Sequence, residues 1–315
     1  MTTSLSTPRA VETPPALTTR VRQSIGERIA PYLYIAPFFL IFAVFGLVPL
    51  LFTFYVALFD WNPIGEHVFI GFDNFSRLLA DARFWNALKN TISIWVLSTV
   101  PQLVLALLLA HLLNHARLRL AVFFRMSMLV PYITSVAATT IVFAQMFDRD
   151  YGLLNWLLGF VGVEPIDFKQ SVWGSHLLIA VMVTWRWFGY TTLLYLASLQ
   201  AIPRAIYEAA AVDGAGGWKQ FRHISIPSLR PVIVFTVVTS TIGGLQIFTE
   251  PLLISRSQTC GAIRQCQTLT LFLYEQGFGQ FQFGYGAAIG VALFVLVIVA
   301  ATVNYLLSTR IRPER

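Results

Sequence analysis

Six long apolar runs dominate the sequence and limit what it can fold into. They lie near residues 29–59, 91–113, 122–147, 174–199, 232–254 and 286–307. Each is about 20 residues or longer, the length that an α-helix needs to cross ~30 Å of hydrocarbon. Only 12% of the residues are charged, whereas soluble proteins carry about 25%. The sequence therefore predicts an all-α integral membrane protein with six transmembrane helices, in a membrane domain that covers residues 29–310.

The two ends of the chain differ from the apolar runs. Residues 1–28 are rich in Thr, Ser, Pro and Arg and hold few large apolar side chains, which is typical of a disordered tail. Residues 311–315 form a short polar C-terminus. The first apolar run would be about 45 Å long as an α-helix, so it must tilt, protrude, or bend at Pro37 or Pro49.

The distribution of basic residues predicts the orientation of the chain. Fourteen Lys and Arg residues lie in segments on one side of the membrane, and seven lie on the other. The richer side comprises the segments 1–28, 114–125, 200–231 and 308–315. Because Lys and Arg accumulate in cytoplasmic loops, both termini are predicted to lie in the cytoplasm of a multi-pass protein of the bacterial cell membrane. The basic residues form no single patch, which argues against a nucleic-acid partner.

The long loop 202–231, between the fourth and fifth runs, is predicted to fold in its own right. Pro203 suits the first turn of a helix, where its missing N–H is no loss. Ala205–Val212 is short, Ala-rich and helix-favouring. Three glycines between residues 214 and 217 then end this helix.

A second short helix is predicted in the same loop. Trp218, Phe221 and Ile224 recur every three residues, as on one face of a helix. Pro227 and Pro231 are expected to break the path before the next apolar run. The loop therefore predicts a cytoplasmic helix-turn-helix.

This loop resembles the E-A-A coupling loop of binding-protein-dependent ABC importer permeases. Ten residues match that pattern: Glu208, Ala209, Ala210, Asp213, Gly214, Ala215, Phe221, Ile224, Pro227 and Pro231. The resemblance implies that the loop docks into a cleft of a separate ATPase subunit. The residues expected to couple to that ATPase are Ala205, Tyr207, Glu208, Ala209, Ala210, Ala211, Asp213, Gly214 and Ala215. Glu208 and Asp213 are expected to anchor the fold of the loop by capping or pairing. The alternative interpretation is an ordinary amphipathic cytoplasmic loop.

Further segments resemble the carbohydrate-uptake, or maltose-type, permeases of this family. They are Y-L-Y-I-A-P-F-F-L from Tyr32, G-F-D-N-F-S-R from Gly71 and Y-E-Q-G-F-G-Q-F-Q-F-G-Y-G-A-A-I-G from Tyr274. The segment G-G-L-Q-I-F-T-E-P from Gly243 is similar to permeases for cello-oligosaccharides. The resemblance implies a di- or oligosaccharide solute, a second homologous permease subunit, two ATPase subunits that hold ATP and Mg²⁺, and an external solute-binding protein. Membrane lipid surrounds such a chain, and no cofactor or metal is expected in the chain itself.

The family places its solute pocket near mid-membrane on the third, fourth and fifth helices. The motif P-Y-I-T-S-V matches the family's Pro-Tyr segment at Pro131, and W-R-W-F-G-Y matches its aromatic-Gly-Tyr segment at Phe188. The resemblance implies a substrate path lined by Tyr132, Val136, Trp185, Arg186, Phe188, Gly189, Thr192, Thr239, Gly243, Gln246 and Glu250.

Arg186 lies near the middle of the fourth predicted membrane helix. An arginine there costs about 2.5–3.5 kcal/mol on insertion scales, so it should face a protein interior or a watery cavity. Glu250 is a plausible partner, and Gln246, four residues earlier, would share its helix face. These groups either line the solute path or form a buried ion pair that fixes helix packing.

Other polar groups have alternative explanations. Cys260 and Cys266 lie in one external loop, where an oxidising exterior would permit a disulfide, and unpaired thiols are the alternative. Asp148 and Asp150 could suggest acid–base chemistry, but a solvated loop is the expectation. The pair His111 and His115 is expected to interact with a helix dipole rather than to hold a metal.

The segment 71–91 has helical apolar spacing. It indicates an interfacial amphipathic element, or a surface that meets the solute-binding protein.

Motifs for catalysis and nucleotide binding are missing from the sequence. No G-x-x-x-x-G-K-[ST] segment is present, so a separate subunit must supply ATP hydrolysis and the chain is not expected to be an enzyme. The alternative functions are an ion-coupled secondary transporter, which predicts inverted repeats, an integral-membrane enzyme, and an ABC importer permease for a phosphorylated solute such as glycerol phosphate.

Overall fold

The computed structural model describes residues 25–63, 65–115 and 121–310. Most of the predicted tail, the residues 116–120 and the C-terminal residues 311–315 lie outside this part of the chain. The helices are α1 Ile25–Phe42, α2 Val48–Val56, α3 Asp73–Ala80, α4 Ala82–His115, α5 Ala121–Ile133, α6 Val136–Met146, α7 Leu153–Gly159, α8 Val172–Gln200, α9 Arg204–Val212, α10 Gly217–Gln220, α11 Ile226–Leu245, α12 Thr249–Ser255, α13 Leu269–Tyr274 and α14 Phe283–Arg310. The strands β1 Phe59–Trp61 and β2 His67–Phe69 form an antiparallel hairpin.

Five helical spans in the described residues are long and apolar enough to cross a membrane. They are Tyr32–Val56, Ala82–Asn114, Val172–Gln200, Gly217–Ser255 and Phe283–Leu307. A sixth is present if the bent pair Val122–Ile133 and Val136–Met146 counts as one span. The first, third, fourth and sixth predicted runs agree with these helices to within a few residues. The second span starts at Ala82 rather than near residue 91, and the fifth starts at Gly217 rather than near residue 232.

The length of the third apolar run predicted one straight helix, but the structure has two helices there. α5 and α6 meet at an angle of 92°. Ser135 between them is extended (φ −55°, ψ 130°). Pro131 removes one backbone donor near the end of α5, and the Thr134 hydroxyl donates to the Val130 carbonyl (2.6 Å), so the helix ends here.

Two prolines are accommodated by π-helical turns rather than by breaks. Each turn ends two residues before a proline: Ala43–Leu47 precedes Pro49, and Phe221–Ser225 precedes Pro227. Because proline has no N–H for the carbonyl four residues earlier, the turn widens to the i→i+5 hydrogen bonds of a π-helix. The prediction that Pro227 and Pro231 interrupt the chain is therefore wrong, and Gly217–Ser255 is one helical span with a short break near its end.

The chain divides into two compact units between Leu51 and Phe52. The first holds α1 and its π-helical turn, and its apolar side chains, such as Phe38, are exposed. The boundary lies within α2, and the second unit holds the rest of α2 and all later elements. The first span ends at Val56 and the chain enters β1 at Phe59, so the predicted helix end at residue 59 is too late.

The second unit is built around the α4–α8 pair. Small residues of α4, Ala106 and Ala110, are fully buried and pack in one cluster with Tyr195 and Leu199 of α8 and with Leu229 of α11. Small side chains let membrane helices approach closely. The Tyr195 hydroxyl also hydrogen-bonds Thr236 of α11 (2.6 Å). α4, α8 and α11 thereby form the frame that positions the central cavity.

Candidate functional site

A cavity of 350 Å³ opens between α4, the α5–α6 bend, α8, α11 and the start of α12. Its volume lies in the range of about 300–1,000 Å³ that is usual for small-molecule sites. The lining residues are Thr99, Gln102, Tyr132, Val136, Val183, Arg186, Trp187, Tyr190, Thr191, Leu194, Phe235, Thr236, Thr239, Ser240, Gly243, Gly244, Gln246, Ile247, Phe248, Thr249 and Glu250.

Three aromatic rings form one wall of this cavity. Tyr132 stacks on Tyr190 with ring centroids 4.9 Å apart, and its edge meets Trp187 at 5.1 Å. An aromatic face is negatively polarised and attracts the weakly positive C–H groups of a ligand. The wall can therefore hold a flat ligand with C–H surfaces.

Hydroxyl and amide groups supply the polar part of the lining. Gln102 donates to the Thr191 hydroxyl (3.0 Å) and links α4 to α8. Thr239 and Ser240 of α11 lie on the same cavity. Such groups both donate and accept hydrogen bonds, so the lining is suited to ligands rich in hydroxyl groups.

Arg186 and Glu250 are the only charged residues among the described lining residues. Arg186 Nη1 lies 3.6 Å from Glu250 Oε1, and the two side chains are 16% and 10% exposed. This distance is longer than a hydrogen bond. Arg186 Nε is buried without a hydrogen-bond partner in the described residues. The positive charge of Arg186 and the negative charge of Glu250 are thus close enough to balance each other, while Arg186 Nε keeps an N–H that can still donate to a ligand.

A break in the fifth span shapes the cavity beside Glu250. α11 ends at Leu245 and α12 begins at Thr249. The hydroxyls of Thr268 and Thr270 donate to the Ile247 carbonyl, which satisfies a group that the break leaves unpaired. The prediction that Gln246 and Glu250 share one helix face is therefore wrong, although both line the cavity.

The structure brings seven of the eleven predicted path residues to the cavity. These are Tyr132, Val136, Arg186, Thr239, Gly243, Gln246 and Glu250. The other four are on α8 but do not line it. Trp185 packs on Phe143 (ring centroids 5.4 Å apart), the Thr192 hydroxyl bonds the Phe188 carbonyl (2.7 Å), and Gly189 faces the backbone of α5.

The cavity residues of α8 that the sequence analysis missed follow a helical period. Val183, Trp187, Tyr190, Thr191 and Leu194 lie three or four residues apart on the face that carries Arg186. Residues at this spacing share a helix face. The position of Arg186 was the signal that could have identified them, because the only charge in the span should face the polar cavity.

The segment predicted to couple to an ATPase lies at the surface of the chain. α9 holds no buried residue, and Pro203 is the residue before it rather than its first residue. Gly214 ends it with a positive φ of 76°, a conformation that glycine adopts without steric cost. Within this segment Tyr207 bonds Ser225 (2.9 Å) and Gln220 donates to the Ala215 carbonyl (2.9 Å).

Two acidic residues of this segment do not act as expected. Glu208 and Asp213 were expected to anchor the loop by capping or pairing, but their carboxylates make no hydrogen bond or ion pair in the described residues. Both are exposed. The loop is instead fixed by Tyr207, Gln220 and Gly214.

A short loop between α12 and α13 ties together one end of the second unit. Cys260 and Cys266 form a disulfide with Cα atoms 5.3 Å apart. Arg264 pairs with Glu275, Nη2 to Oε1 at 2.8 Å. Burial by itself would raise the pKa of Glu275, but hydrogen bonds from Arg264 and Gln267 and the charge of Arg264 outweigh it and lower the pKa below its ordinary value.

The other polar residues considered for catalysis or metal binding make structural contacts in the described part of the chain. Asp148 accepts from Lys169 Nζ (2.8 Å), and this bond, followed by the Asp150 N–H, lowers the pKa of Asp148. A lowered pKa keeps this carboxylate ionised and unsuited to act as a general acid near neutral pH. The His111 ring packs on Phe221 (4.3 Å between centroids); the side chain of His115 lies outside the described residues. No metal-binding group of three His, Cys, Asp or Glu residues occurs in the part of the chain that the structure describes.

The residues 71–91 form α3 and the first turns of α4. Leu78 and Phe84 of this segment are buried against Phe272 and Tyr285. The apolar face of this segment thus packs against other parts of the same chain. Among its large apolar side chains only Phe72, Leu79 and Trp85 are exposed, so the prediction of an interfacial element applies to these three.

Comparisons with known proteins find similarity to membrane components of transport systems. Residues 86–313 match the family described as "binding-protein-dependent transport system inner membrane component". The lactose transport system permease protein LacF of Rhizobium radiobacter is 37% identical over 278 residues, which is 87% of this chain and 91% of LacF. The arabinooligosaccharides transport system permease protein AraP of Bacillus subtilis is 34% identical, covering 91% of each chain. The trehalose/maltose transport system permease protein MalF of Thermococcus litoralis is 32% identical, covering 90% and 94%.

Solved structures agree on the fold. A chain of a bacterial ABC transporter involved in the import of the acidic polysaccharide alginate superposes with a TM-score of 0.76. The match covers 91% of this chain and 98% of that one at 21% identity. The same similarity is found to the bacterial alginate ABC transporter in complex with an alginate pentasaccharide-bound periplasmic protein. The predicted all-α membrane fold is confirmed.

Proposed function

The chain belongs to the family of binding-protein-dependent transport system inner membrane components, and from this membership we propose that it is the permease subunit of an ATP-driven carbohydrate importer. The family that the E-A-A segment indicated, the binding-protein-dependent permeases, is therefore confirmed. Relatives named for lactose, arabinooligosaccharides and trehalose/maltose support a di- or oligosaccharide as the solute.

The central cavity is the single observation that carries the carbohydrate assignment. It combines the aromatic wall of Tyr132, Trp187 and Tyr190 with the hydroxyls of Thr239 and Ser240. Aromatic rings suit the C–H faces of a sugar ring, and hydroxyl and amide groups suit its hydroxyls. The cavity lies between helices that belong to different parts of the bundle, where a movement of α8 relative to α11 would open or close it.

ATP hydrolysis is proposed to occur in a separate subunit, so this chain is not an enzyme and binds no nucleotide itself. The exposed α9 supports this assignment because its small residues Ala209 and Ala210 let a second protein approach its backbone closely. In the proposed mechanism two ATPase subunits move α9, and α10–α11 pass the movement to the cavity because they form one helical span that reaches it. Both termini and α9 would lie in the cytoplasm, as the basic-residue bias favours.

Three further partners complete the proposal. A second homologous permease would form the other half of the translocation path. An external solute-binding protein would deliver the sugar, and membrane lipid would cover the exposed apolar spans. One structural neighbour, the bacterial alginate transporter in complex with a periplasmic protein, supports the binding-protein partner.

Two variants test the coupling role in reconstituted vesicles. Gly214→Pro or Ala210→Trp should abolish ATP-dependent sugar uptake while the external protein still binds sugar, because one distorts the turn at φ 76° and the other blocks close approach to α9. The matched control is Val161→Trp, an exposed position outside residues 202–231. Normal uptake by either α9 variant would refute the coupling role. Uptake driven by a proton or sodium gradient, with no ATPase present, would instead favour a secondary transporter.

A further inference from the structure

We infer that Arg186 and Glu250 act together as the determinant that makes the cavity accept neutral saccharides and reject acidic ones. This inference rests on the proposed carbohydrate-importer function and narrows its substrate class. The starting observation is that these two side chains carry all the charge among the described lining residues. Their charges have opposite sign and lie 3.6 Å apart.

The charge balance of the pair decides which ligands the cavity can hold. A lone arginine in a partly dry cavity would attract a carboxylate or phosphate strongly, because charge interactions grow as the effective dielectric falls. A lone glutamate would repel such a ligand. With both present, an anionic ligand meets no net attraction and must still lose its own hydration. The paired cavity therefore disfavours a uronic acid or a sugar phosphate.

The unmade hydrogen bonds of the pair explain why a neutral sugar is accepted. At 3.6 Å the two groups are not hydrogen-bonded to each other. Arg186 Nε has no partner in the described residues. A guanidinium only donates and a carboxylate only accepts, whereas a sugar hydroxyl does both. One hydroxyl can accept from Arg186 and donate to Glu250, which gives each charged group a hydrogen bond and leaves the site neutral.

The position of the pair is suited to this task. Arg186 is the residue before Trp187 of the aromatic wall, and Glu250 follows the break that ends α11. A sugar stacked on Tyr132 or Tyr190 would present its equatorial hydroxyls sideways to the pair. The pair thus hydrogen-bonds hydroxyl groups at the edge of the sugar ring, while the aromatic wall contacts the face of that ring.

A binding assay without the solute-binding protein tests this inference, because that protein selects sugars on its own. The permease complex with its companion permease and ATPase subunits is placed in nanodiscs. Binding of neutral disaccharides (lactose, maltose and cellobiose) is compared with binding of the corresponding disaccharides in which one hydroxymethyl group is a carboxylate. Wild type should bind one or more neutral sugars at least ten-fold more tightly than the acidic counterpart.

Glu250→Gln leaves the charge of Arg186 unopposed. It should tighten binding of the acidic sugar about ten-fold or more, since charge-assisted hydrogen bonds are the stronger ones, and weaken the preference for the neutral sugar. The double variant Arg186→Gln with Glu250→Gln should restore a neutral preference at lower affinity for both ligands. Glu164→Gln, the same change at an exposed residue, is the matched control and should behave as wild type.

Each outcome separates this inference from the proposed function. Sugar binding by wild type with an unchanged neutral-to-acidic ratio in Glu250→Gln overturns the inference and leaves the importer function standing. Binding of no saccharide by wild type overturns both. If Glu250→Gln does not assemble, Arg186→Gln decides: it should still reject the acidic sugar, because only Glu250 remains, and acceptance of that sugar would refute the role of the pair.

Discussion

Gly189 sets the separation of α5 and α8 beside the cavity, and its replacement by alanine should have a measurable effect. A Cβ built at Gly189 would overlap the Met128 carbonyl oxygen and lie 2.9 Å from its carbon. Because a carbon and a carbonyl oxygen need about 3.3 Å or more, the two helices must separate by on the order of 1 Å. The obstacle is backbone, so no side-chain rotation can relieve it.

The cost of this separation follows from its place in the bundle. Overpacking of this kind costs about 1–3 kcal/mol, a factor of about 5 to 150 in an equilibrium. Met128 lies one helical turn before Tyr132, which stacks on Tyr190 at 4.9 Å. The separation should therefore also displace one ring of the aromatic wall. Gly189→Ala is expected to lower the apparent Tm by several degrees and to weaken sugar binding.

The assay is thermal unfolding of the purified complex together with sugar binding in nanodiscs. Gly159→Ala is the control, because a Cβ at Gly159 meets no atom within 4 Å and alanine favours the helix in which it lies. If Gly189→Ala shows the same Tm and affinity as Gly159→Ala, close approach of α5 to α8 does not set the cavity width, and the reasoning fails.

Three further predictions concern the loop between α12 and α13 and the frame of α4, α8 and α11. Replacing both cysteines of the Cys260–Cys266 disulfide with serine should cost about 2 kcal/mol by the loop-entropy relation, seen as a lower Tm; a Tm equal to wild type would contradict it. Glu275→Gln should lower the Tm at pH 7, because a carboxylate with a lowered pKa stabilises the fold above its unfolded pKa of about 4.3. That difference should shrink as pH falls from about 5 to 3 and the native carboxylate takes up a proton; a difference that grows on acidification would have the wrong sign. Tyr195→Phe removes the 2.6 Å bond to Thr236 and should cost about 0.6–1.5 kcal/mol, measured by unfolding; Tyr305→Phe, an exposed tyrosine, should cost nothing.

Much of the candidate site was accessible from sequence, but on α8 only Arg186 indicated which face of the helix lines the cavity. Arg186 and Glu250 were identifiable because a charge inside an apolar span must find a partner or a cavity. Trp185, Phe188, Gly189 and Thr192 were assigned by position in a motif and not by helix face. A membrane helix is apolar on all sides, so periodicity does not indicate which side faces the interior.

The sequence by itself determined most of the membrane spans and the short helix α9, because both depend on local chemistry. About 20 apolar residues without charge must span the bilayer as a helix, and the short Ala-rich helix followed by Gly214 requires no distant contact. The tertiary structure alone decided the 92° bend after Ile133, the continuous helix through Pro227 and the break at Gln246. In each case the structure depends on its hydrogen bonds and packing contacts. For example, the Thr268 hydroxyl donates to the Ile247 carbonyl, which lies 21 residues earlier in the sequence. The cavity exists for the same reason: its lining comes from six helices, α4, α5, α6, α8, α11 and α12, whose facing sides are set by packing.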